Sequence, residues 1–279
     1  MNRKPIYDIW RILSQPRDEA EAEIRALCHT AYLGDHEALA RLLGRYKIYV
    51  DTRDVGIASH LMLDGFWEMW VTQAMMRMVR RGSVVADIGA NLGYFTLLLA
   101  DLTGAEGHVL SFEPQPNLAR LLRKSIEVNG FGGYTHFHEM ALGGSSGTAG
   151  IEASLDQPGG GRTVATGEGA GSVRMGRFDE IPHALDVEFI KMDVEGFEPE
   201  VWKGMTGRLA RRDLPLTIFM EFTVGRLPDP AGFLDEIMSH GFSLAIVSHN
   251  QGVVPIGRED LLNGPRDVDH MLVFARGAG

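Results

Sequence analysis

Three acidic side chains lie at the ends of predicted strands, where carboxylates can bind ligands or take part in catalysis. Asp193 and Glu195 come directly after the apolar run 187–192, and Glu221 lies near the end of the run 216–222. Because ligands of an open α/β sheet bind beyond the carboxyl ends of its strands, the three carboxylates are expected side by side. They could attract a cationic ligand, accept a proton, or bind Mg²⁺, with Asp193 and Glu221 as the metal ligands. The alternative is that Glu195 and Glu221 only accept hydrogen bonds from loop N–H groups.

A second group of residues surrounds a glycine turn. The apolar run 84–88 predicts a strand that contains Asp87, and a helix is predicted from Tyr94. Between them, Gly89 and Gly93 let a ligand approach the backbone at a helix N-terminus. Asp87 would repel the pyrophosphate of a dinucleotide but attract an ammonium group, and the third glycine of a G-x-G-x-x-G turn is missing. The turn therefore favours S-adenosylmethionine (SAM) over a nicotinamide cofactor.

The next two predicted strands supply further candidates for a nucleoside site. Glu113 ends the second strand and precedes Pro114, where a carboxylate can accept hydrogen bonds from both ribose hydroxyls. A surface acid that begins a helix is the alternative for Glu113. The third strand leads to Met140 and Ala141, which are placed either to flank an adenine ring or to pack in the core.

Histidines are the remaining candidates for acid–base chemistry. His249 follows the predicted sixth strand, His270 begins the last, and His60 lies ahead of the sheet. Each is a candidate general base, although a lone histidine is more often structural. His136 and His138 share a strand face, but without a third ligand near them in the sequence they are more typical of structural residues.

The elements that must position these residues alternate between strand and helix after residue 83. This pattern predicts an α/β fold with a mostly parallel sheet covered by helices on both faces. The predicted strands are 84–88, 108–112, 135–138, 187–192, 216–222, 243–247 and 270–274. The predicted helices are 94–102, 117–129, 199–209 and 230–240.

Residues 1–80 are predicted to be a helical segment ahead of a domain that spans 81–279. Three sets of apolar residues have helical spacing: Ile24, Leu27, Cys28 and Ala31; Leu39, Leu42, Leu43 and Tyr46, with Asp35 as the N-cap; and Trp67, Trp70, Val71, Ala74 and Met78. Residues 48–50 could form a short strand. The glycine-rich stretch 156–171 predicts a loop or lid, flanked by a hairpin of 148–154 and 172–178.

Composition excludes several classes of protein. The chain has 279 residues and a formal net charge of −10, which argues against a broad nucleic-acid-binding face. Its single cysteine excludes an intramolecular disulfide and a thiolate metal cluster. No apolar run approaches the roughly 20 residues that span a bilayer, and the basic N-terminus lacks the apolar stretch of a signal peptide. A cytoplasmic protein is expected.

Several runs of the chain resemble the signature segments of the FkbM-type SAM-dependent methyltransferases. These runs are 87–96, Phe112-Glu113-Pro114, Ala141-Leu142-Gly143 and FIKMDVEGFEPE at 189–200, with Gly65-Phe66-Trp67-Glu68 ahead of the first strand. The resemblance covers roughly residues 47–276. It implies a class I methyltransferase fold, Rossmann-like with seven strands, and O-methylation of a sugar or another natural-product hydroxyl.

The resemblance also implies roles for particular residues. Asp193 and Glu195 would face the reacting end, and Glu68 would lie near the methionine part of SAM or the cleft entrance. The full set expected to contact SAM is Glu68, Asp87, Gly89, Ala90, Asn91, Gly93, Tyr94, Phe95, Thr96, Glu113, Pro114, Met140, Ala141 and Asp193. The first 45 residues and the 156–171 loop are poorly covered, and substrate choice is expected to reside there.

Two other functions stay open from the sequence. The chain could methylate a macromolecule, RNA or protein, with its N-terminal segment as a docking module. It could also be a non-catalytic SAM-binding protein that kept the fold. The methionine and aromatic content before residue 80 permits a homodimer without requiring one.

Overall fold

The structure is a computed structural model that describes residues 6–152, 162–164 and 171–277. The elements of the first part are α1 (Arg11–Ser14), α2 (Arg17–Leu27), β1 (Thr30–Gly34), β2 (Glu37–Leu42), β3 (Tyr46–Asp51), α3 (Ile57–Leu63) and α4 (Met69–Met78). Those that follow are β4 (Val84–Ile88), α5 (Tyr94–Thr103), β5 (His108–Phe112), α6 (Pro116–Val128), β6 (Thr135–His138), β7 (Ala141–Leu142), β8 (Gly147–Glu152), β9 (Arg162–Val164) and β10 (Val173–Gly176). The last are β11 (Val187–Met192), α7 (Glu198–Lys203), α8 (Thr206–Ala210), β12 (Leu216–Phe222), α9 (Pro230–Ser239), β13 (Ser243–Ser248), β14 (Gly252–Pro255), α10 (Arg258–Leu262) and β15 (His270–Arg276).

The main sheet has eight strands in the order β14-β13-β15-β12-β11-β4-β5-β6. Strands β6, β5, β4, β11 and β12 are parallel, whereas β15 runs antiparallel to both of its neighbours. The predicted α/β fold with seven strands is therefore confirmed, and only the short edge strand β14 was not predicted. Strand order reverses between β4 and β11, which is where such sheets bind ligands.

The second helix predicted in the N-terminal segment, with Leu39, Leu42, Leu43 and Tyr46 on one face, is wrong, because residues 30–51 form three antiparallel strands. In β2 the burial alternates, with Ala38, Ala40 and Leu42 inward, so the period of two prevails over the helical spacing of Leu39 to Tyr46. Asp35 is not an N-cap. It has φ 47°, followed by His36 with φ 61°, in the tight turn that joins β1 to β2.

Three smaller boundaries also differ from the predictions. The helix that begins near Ile24 ends at Leu27, so Ala31 lies in β1, and α4 begins at Met69 rather than at Trp67. The helix predicted over 199–209 is split into α7 and α8. The split lies at Gly204, where a Cβ atom would lie 2.3 Å from the carbonyl oxygen of Gly143.

The predicted hairpin is present, since β8 and β10 pair antiparallel. Strand β9 falls inside the predicted 156–171 loop and pairs with β8. The remaining parts of that loop, 156–161 and 165–170, lie outside the described residues.

The N-terminal segment packs on the main sheet through a shared hydrophobic core. Ile48, Leu61 and Met75 belong to the same buried cluster as Leu98 and Val109. This packing brings the loops beside α3 and α4 to the carboxyl edge of the sheet. Among the described residues, no helix is both long enough and apolar enough to span a bilayer.

Candidate active site

A cavity of about 380 Å³ lies where the strand order reverses, beyond the carboxyl ends of β4, β5, β11 and β12. The loops after these strands contribute the turn 89–91, residues 113–115 and residues 193–195. The N-terminal segment adds Asp54, Gly56, Ile57, Trp67 and Glu68, and the far side is closed by Glu221, Asp269, His270 and Met271. Many of the acids predicted from separate motifs therefore meet in one place.

The glycine turn holds two strand ends close together. Gly89 has φ 78°, and a Cβ atom there would lie 1.9 Å from the backbone oxygen of Asp193. Any larger residue would therefore push β4 and β11 apart. Gly93 has φ 97° and begins α5 against the side chain of Leu122, so its contribution is to the turn rather than to the cavity wall.

Glu113 is a buried carboxylate that lines the cavity and is held by backbone donors. The N–H of Asn91 donates to its Oε2 and the N–H of Gln115 to its Oε1, both at 2.8 Å. The side chain is 4% exposed, and burial raises its pKa to about 7. Each carboxylate oxygen can accept a further hydrogen bond. The backbone therefore fixes the Glu113 carboxyl group in the cavity wall.

Asp87 lies beneath the cavity rather than in its wall, which corrects the expectation that it faces an ammonium group. It is fully buried, and its Oδ2 accepts a hydrogen bond of 2.6 Å from the hydroxyl of Thr96. Thr96 also contacts the hydroxyl of Ser111 at 2.9 Å and does not line the cavity. Burial raises the pKa of Asp87, against the opposing effect of Lys191.

Lys191 is a functional candidate that the sequence analysis missed. It is the register neighbour of Asp87, and its Nζ lies 3.1 Å from Asp193 Oδ2. The side chain is 4% exposed, and its Nζ lies 5.2 Å from the centre of the Phe95 ring. Burial lowers the pKa of Lys191, but Asp193 and Asp87 outweigh burial and raise it above its usual value. A lysine within an apolar strand, two residues before an acid, was the signal that could have revealed this pair.

The far side of the cavity is a cluster of carboxylates around one guanidinium group. Arg226 Nη1 lies 2.7 Å from Glu195 and 2.9 Å from Glu221, and Nη2 lies 3.3 Å from Asp269. Burial raises the pKa of Glu221, and the charges of Asp193 and Glu195 add to this effect. The structure therefore brings the predicted acids together, but with an arginine between them.

The position of Arg226 among the carboxylates bears on the metal site predicted from Asp193 and Glu221. Asp193, Glu195 and Glu221 each offer an oxygen within 4.8 Å of the others, which is close enough to share a cation. Arg226, however, already bonds to Glu195 and Glu221. A divalent cation would have to displace this guanidinium group, so the donor set does not fit an open cation site.

Two acids from the N-terminal segment complete the cavity wall. Glu68 has φ 38°, and burial, with the nearby charge of Asp193, raises its pKa to about 7. Asp54 was not predicted. It is 2% exposed, and its Oδ1 accepts the N–H of Gly56 at 2.7 Å. Its Oδ2 is buried without a hydrogen-bond partner among the described residues, and Asp54 contributes to the cavity wall.

The predicted histidines divide between two places. His270 lines the cavity, and burial lowers its pKa, so its imidazole is neutral near pH 7. His249 lies in a second cavity, where Arg17 donates to its backbone oxygen and its ring lies 4.4 Å from that of Trp70. His60 is on α3 beside Asp64, at 3.2 Å. His249 and His60 are therefore not brought to the acids.

The other residues predicted to contact SAM are divided between the cavity wall and the hydrophobic core. Those that line the cavity are Gly89, Ala90, Asn91, Tyr94, Phe95, Glu113 and Pro114. Met140 and Ala141 are buried and are absent from its wall, with Met140 in the core that contains Phe112 and Phe178. For these two residues the structure shows packing.

Known proteins resemble this chain in family, in sequence and in fold. A family model described as the methyltransferase FkbM domain matches residues 87–244, which include the glycine turn, Glu113, Asp193 and Glu221. The hexuronic acid methyltransferase AglP of Haloferax volcanii is 28% identical over 168 residues, which are 55% of this chain and 67% of that protein.

Two further likenesses are more limited. A protein-L-isoaspartate O-methyltransferase of Ignicoccus hospitalis is 37% identical over 57 residues, or 20% of this chain. The match spans only 27% of that relative's length. The crystal structure of M. jannaschii TYW2 in complex with AdoMet has a TM-score of 0.49 at 13% identity and covers 88% of this chain and 87% of its own.

Proposed function

Because the chain belongs to the methyltransferase FkbM family, we propose that it transfers the methyl group of SAM to a hydroxyl group of a sugar or glycosylated natural product. Family membership confirms the predicted class of enzyme, a SAM-dependent methyltransferase, and its class I fold. The acceptor and the atom that is methylated are the proposed part. The observation that supports them is a single cavity that combines the buried carboxylate of Glu113 with a cluster of acids and His270.

The cavity residues fit SAM by charge and by hydrogen bonding. Glu113 presents two oxygens that can each accept one more hydroxyl hydrogen, and the turn 89–91 brings backbone atoms to the wall. Seven acids line the cavity: Asp54, Glu68, Glu113, Asp193, Glu195, Glu221 and Asp269. Among the described residues only one lysine, and no arginine, is in this wall. Such a wall complements the ammonium and sulfonium groups of SAM, which when bound supplies an electrophilic methyl group.

Two side chains are proposed to act on the acceptor. Lys191 fixes Asp193, whose carboxylate would accept a hydrogen bond from the hydroxyl and orient its oxygen. An alcohol is a poor nucleophile near neutral pH, so its proton must be removed as the new bond forms. A ring nitrogen of His270, neutral because burial lowers its pKa, would take that proton.

The sugar class of the acceptor is supported by one relative and refined by the charge of the cavity. The Haloferax volcanii relative is named as a hexuronic acid methyltransferase. In this chain the seven acids of the wall outnumber the two basic groups that pair with them, Lys191 and Arg226, and this balance would disfavour an anionic uronate. We therefore expect a neutral or cationic sugar to be the better acceptor.

A methylation assay over a panel of sugars tests the proposal. Neutral glycosides, amino sugars and uronates of matched size are incubated with SAM, and O-methyl products are identified by NMR. Methylation of a neutral or amino sugar that is lost in Asp193→Asn and kept in Asp235→Asn supports the proposal. The control residue is on α9 and pairs with Arg258. SAM turnover only on RNA or protein would refute the acceptor class, and absence of SAM binding in calorimetry would refute the cofactor.

Four other expectations accompany the proposal. No step passes through a divalent cation, because Arg226 bonds to two of the three candidate ligands. Cytoplasmic location and a homodimer stay predictions. Selection of the acceptor is proposed to involve Asp54 and Trp67, through which the N-terminal segment reaches the cavity.

A further inference from the structure

Three histidines meet at the opposite edge of the sheet from the cavity. His108 is the first residue of β5, His136 is in β6, and His183 precedes β11. The ring of His108 lies 4.3 Å from that of His183, and its Nδ1 lies 3.0 Å from His136 Nε2. The sequence suggested only that His136 shares a strand face with His138. In the structure the ring of His136 contacts those of His108 and His183, which come from distant segments.

We propose that His108, His136 and His183 bind a divalent transition-metal ion such as Zn²⁺. Each offers one ring nitrogen, and the three nitrogens lie within 4.8 Å of one another. Imidazole nitrogen is a preferred ligand of Zn²⁺, and three histidines with one water complete a tetrahedral site.

One pair of ring nitrogens is already near ligand separation, but the rings of His108 and His183 are stacked at 17° and must turn toward a bound ion. With Zn–N bonds of about 2.0–2.1 Å, two ligand nitrogens in a tetrahedral site are about 3.3 Å apart. The contact between His108 and His136 is already near this separation. His183 is exposed, so rotation of its side chain can bring the third nitrogen inward.

The bound ion would act as a structural clamp and not as part of methyl transfer. It would tie the beginnings of two neighbouring strands, β5 and β6, to the loop that enters β11. Glu113 of the cavity lies at the other end of β5, five residues or about 16 Å away along an extended strand. The inference is therefore independent of the proposed function.

Zinc titration of the EDTA-treated, dialysed full chain tests the proposal. Calorimetry with ZnCl₂, and Co²⁺ absorption as a check of tetrahedral coordination, are carried out on the wild type and four variants. His183→Gln and His136→Gln each remove one ligand. His29→Gln changes an exposed histidine elsewhere, and Glu221→Gln removes a carboxylate from the acidic cavity.

The expected result is one bound zinc ion per chain and a higher melting temperature with zinc. Affinity should fall about tenfold or more in His183→Gln, since one of three protein ligands is lost, and should be unchanged in His29→Gln and Glu221→Gln. Because His183 is exposed, its variant keeps the test valid even if His136→Gln fails to fold. Unchanged affinity in His183→Gln, or no zinc binding by the wild type, would overturn the proposal.

Discussion

Replacing Lys191 by methionine probes the buried charges beneath the cavity. The lysine lies between Asp87, which is fully buried, and Asp193, whose Oδ2 is 3.1 Å from Nζ. Methionine has a similar length and leaves little void, so the main change is the loss of the positive charge. Breaking a buried ion pair by removing one partner costs about 3–5 kcal/mol, because the other partner is left uncompensated. We expect Lys191→Met to lower the free energy of unfolding by about this amount.

Denaturant unfolding at pH 7.5 measures this loss, with Lys124→Met as the matched control. Lys124 pairs with Glu37 but is 37% exposed, so its removal should cost less than about 1 kcal/mol. Protonation of Asp87 would relieve part of the penalty, because burial already raises the pKa of this group. The loss in Lys191→Met should therefore shrink at lower pH.

A double variant separates charge from packing. In Lys191→Met with Asp87→Asn both charges are absent, and part of the lost stability should return. If Lys191→Met costs no more than the control, or if the double variant shows no recovery, the pairing of Lys191 with the buried acids does not stabilise the fold.

The remaining predictions concern the cavity and one buried acid outside its wall, Glu198 at the beginning of α7. Glu113→Gln should weaken SAM binding about 10- to 100-fold in calorimetry, because one of its two acceptor oxygens is replaced by an amide nitrogen that cannot accept a hydrogen bond; an unchanged Kd would rule out its contact with ribose. Asp193→Asn should lower kcat by about 100-fold or more with little change in SAM affinity, and equal losses in both would remove its role in orienting the acceptor. Burial raises the pKa of Glu198 from 4.5 to about 7, so the folded chain binds more protons than the unfolded chain in that window. Glu198 therefore makes the melting temperature fall as pH rises from 4.5 to 7, and this fall should be shallower in Glu198→Gln; an identical slope would contradict the assignment. Turnover should be insensitive to EDTA, and a rate that needs added Mg²⁺ would show that a cation displaces Arg226.

The N-terminal hairpins show where sequence periodicity fails. Leu39, Leu42, Leu43 and Tyr46 fit the spacing of one helix face, yet β2 pairs with β3 over its whole length. A short apolar segment can match both the 3.6-residue period of a helix and the two-residue period of a strand. The choice was made by pairing with β3, which itself packs on α6 through a hydrogen bond from the N–H of Tyr49 to Ser125 Oγ. Such contacts between distant segments are not visible in a window of residues.

The amino-acid sequence alone determined the class of fold, the glycine turn and the acids at the strand ends. Long apolar runs and turn residues predict strands and turns from neighbouring residues alone, so the segments that pack against them need not be known. Tertiary structure decided the rest. Only folding paired Asp87 with Lys191, set Arg226 among the acids, moved His249 out of the cavity and joined His136 to His183. The physical reason is that burial and charge pairing depend on neighbours far apart in the chain, and these neighbours are specified by packing rather than by spacing.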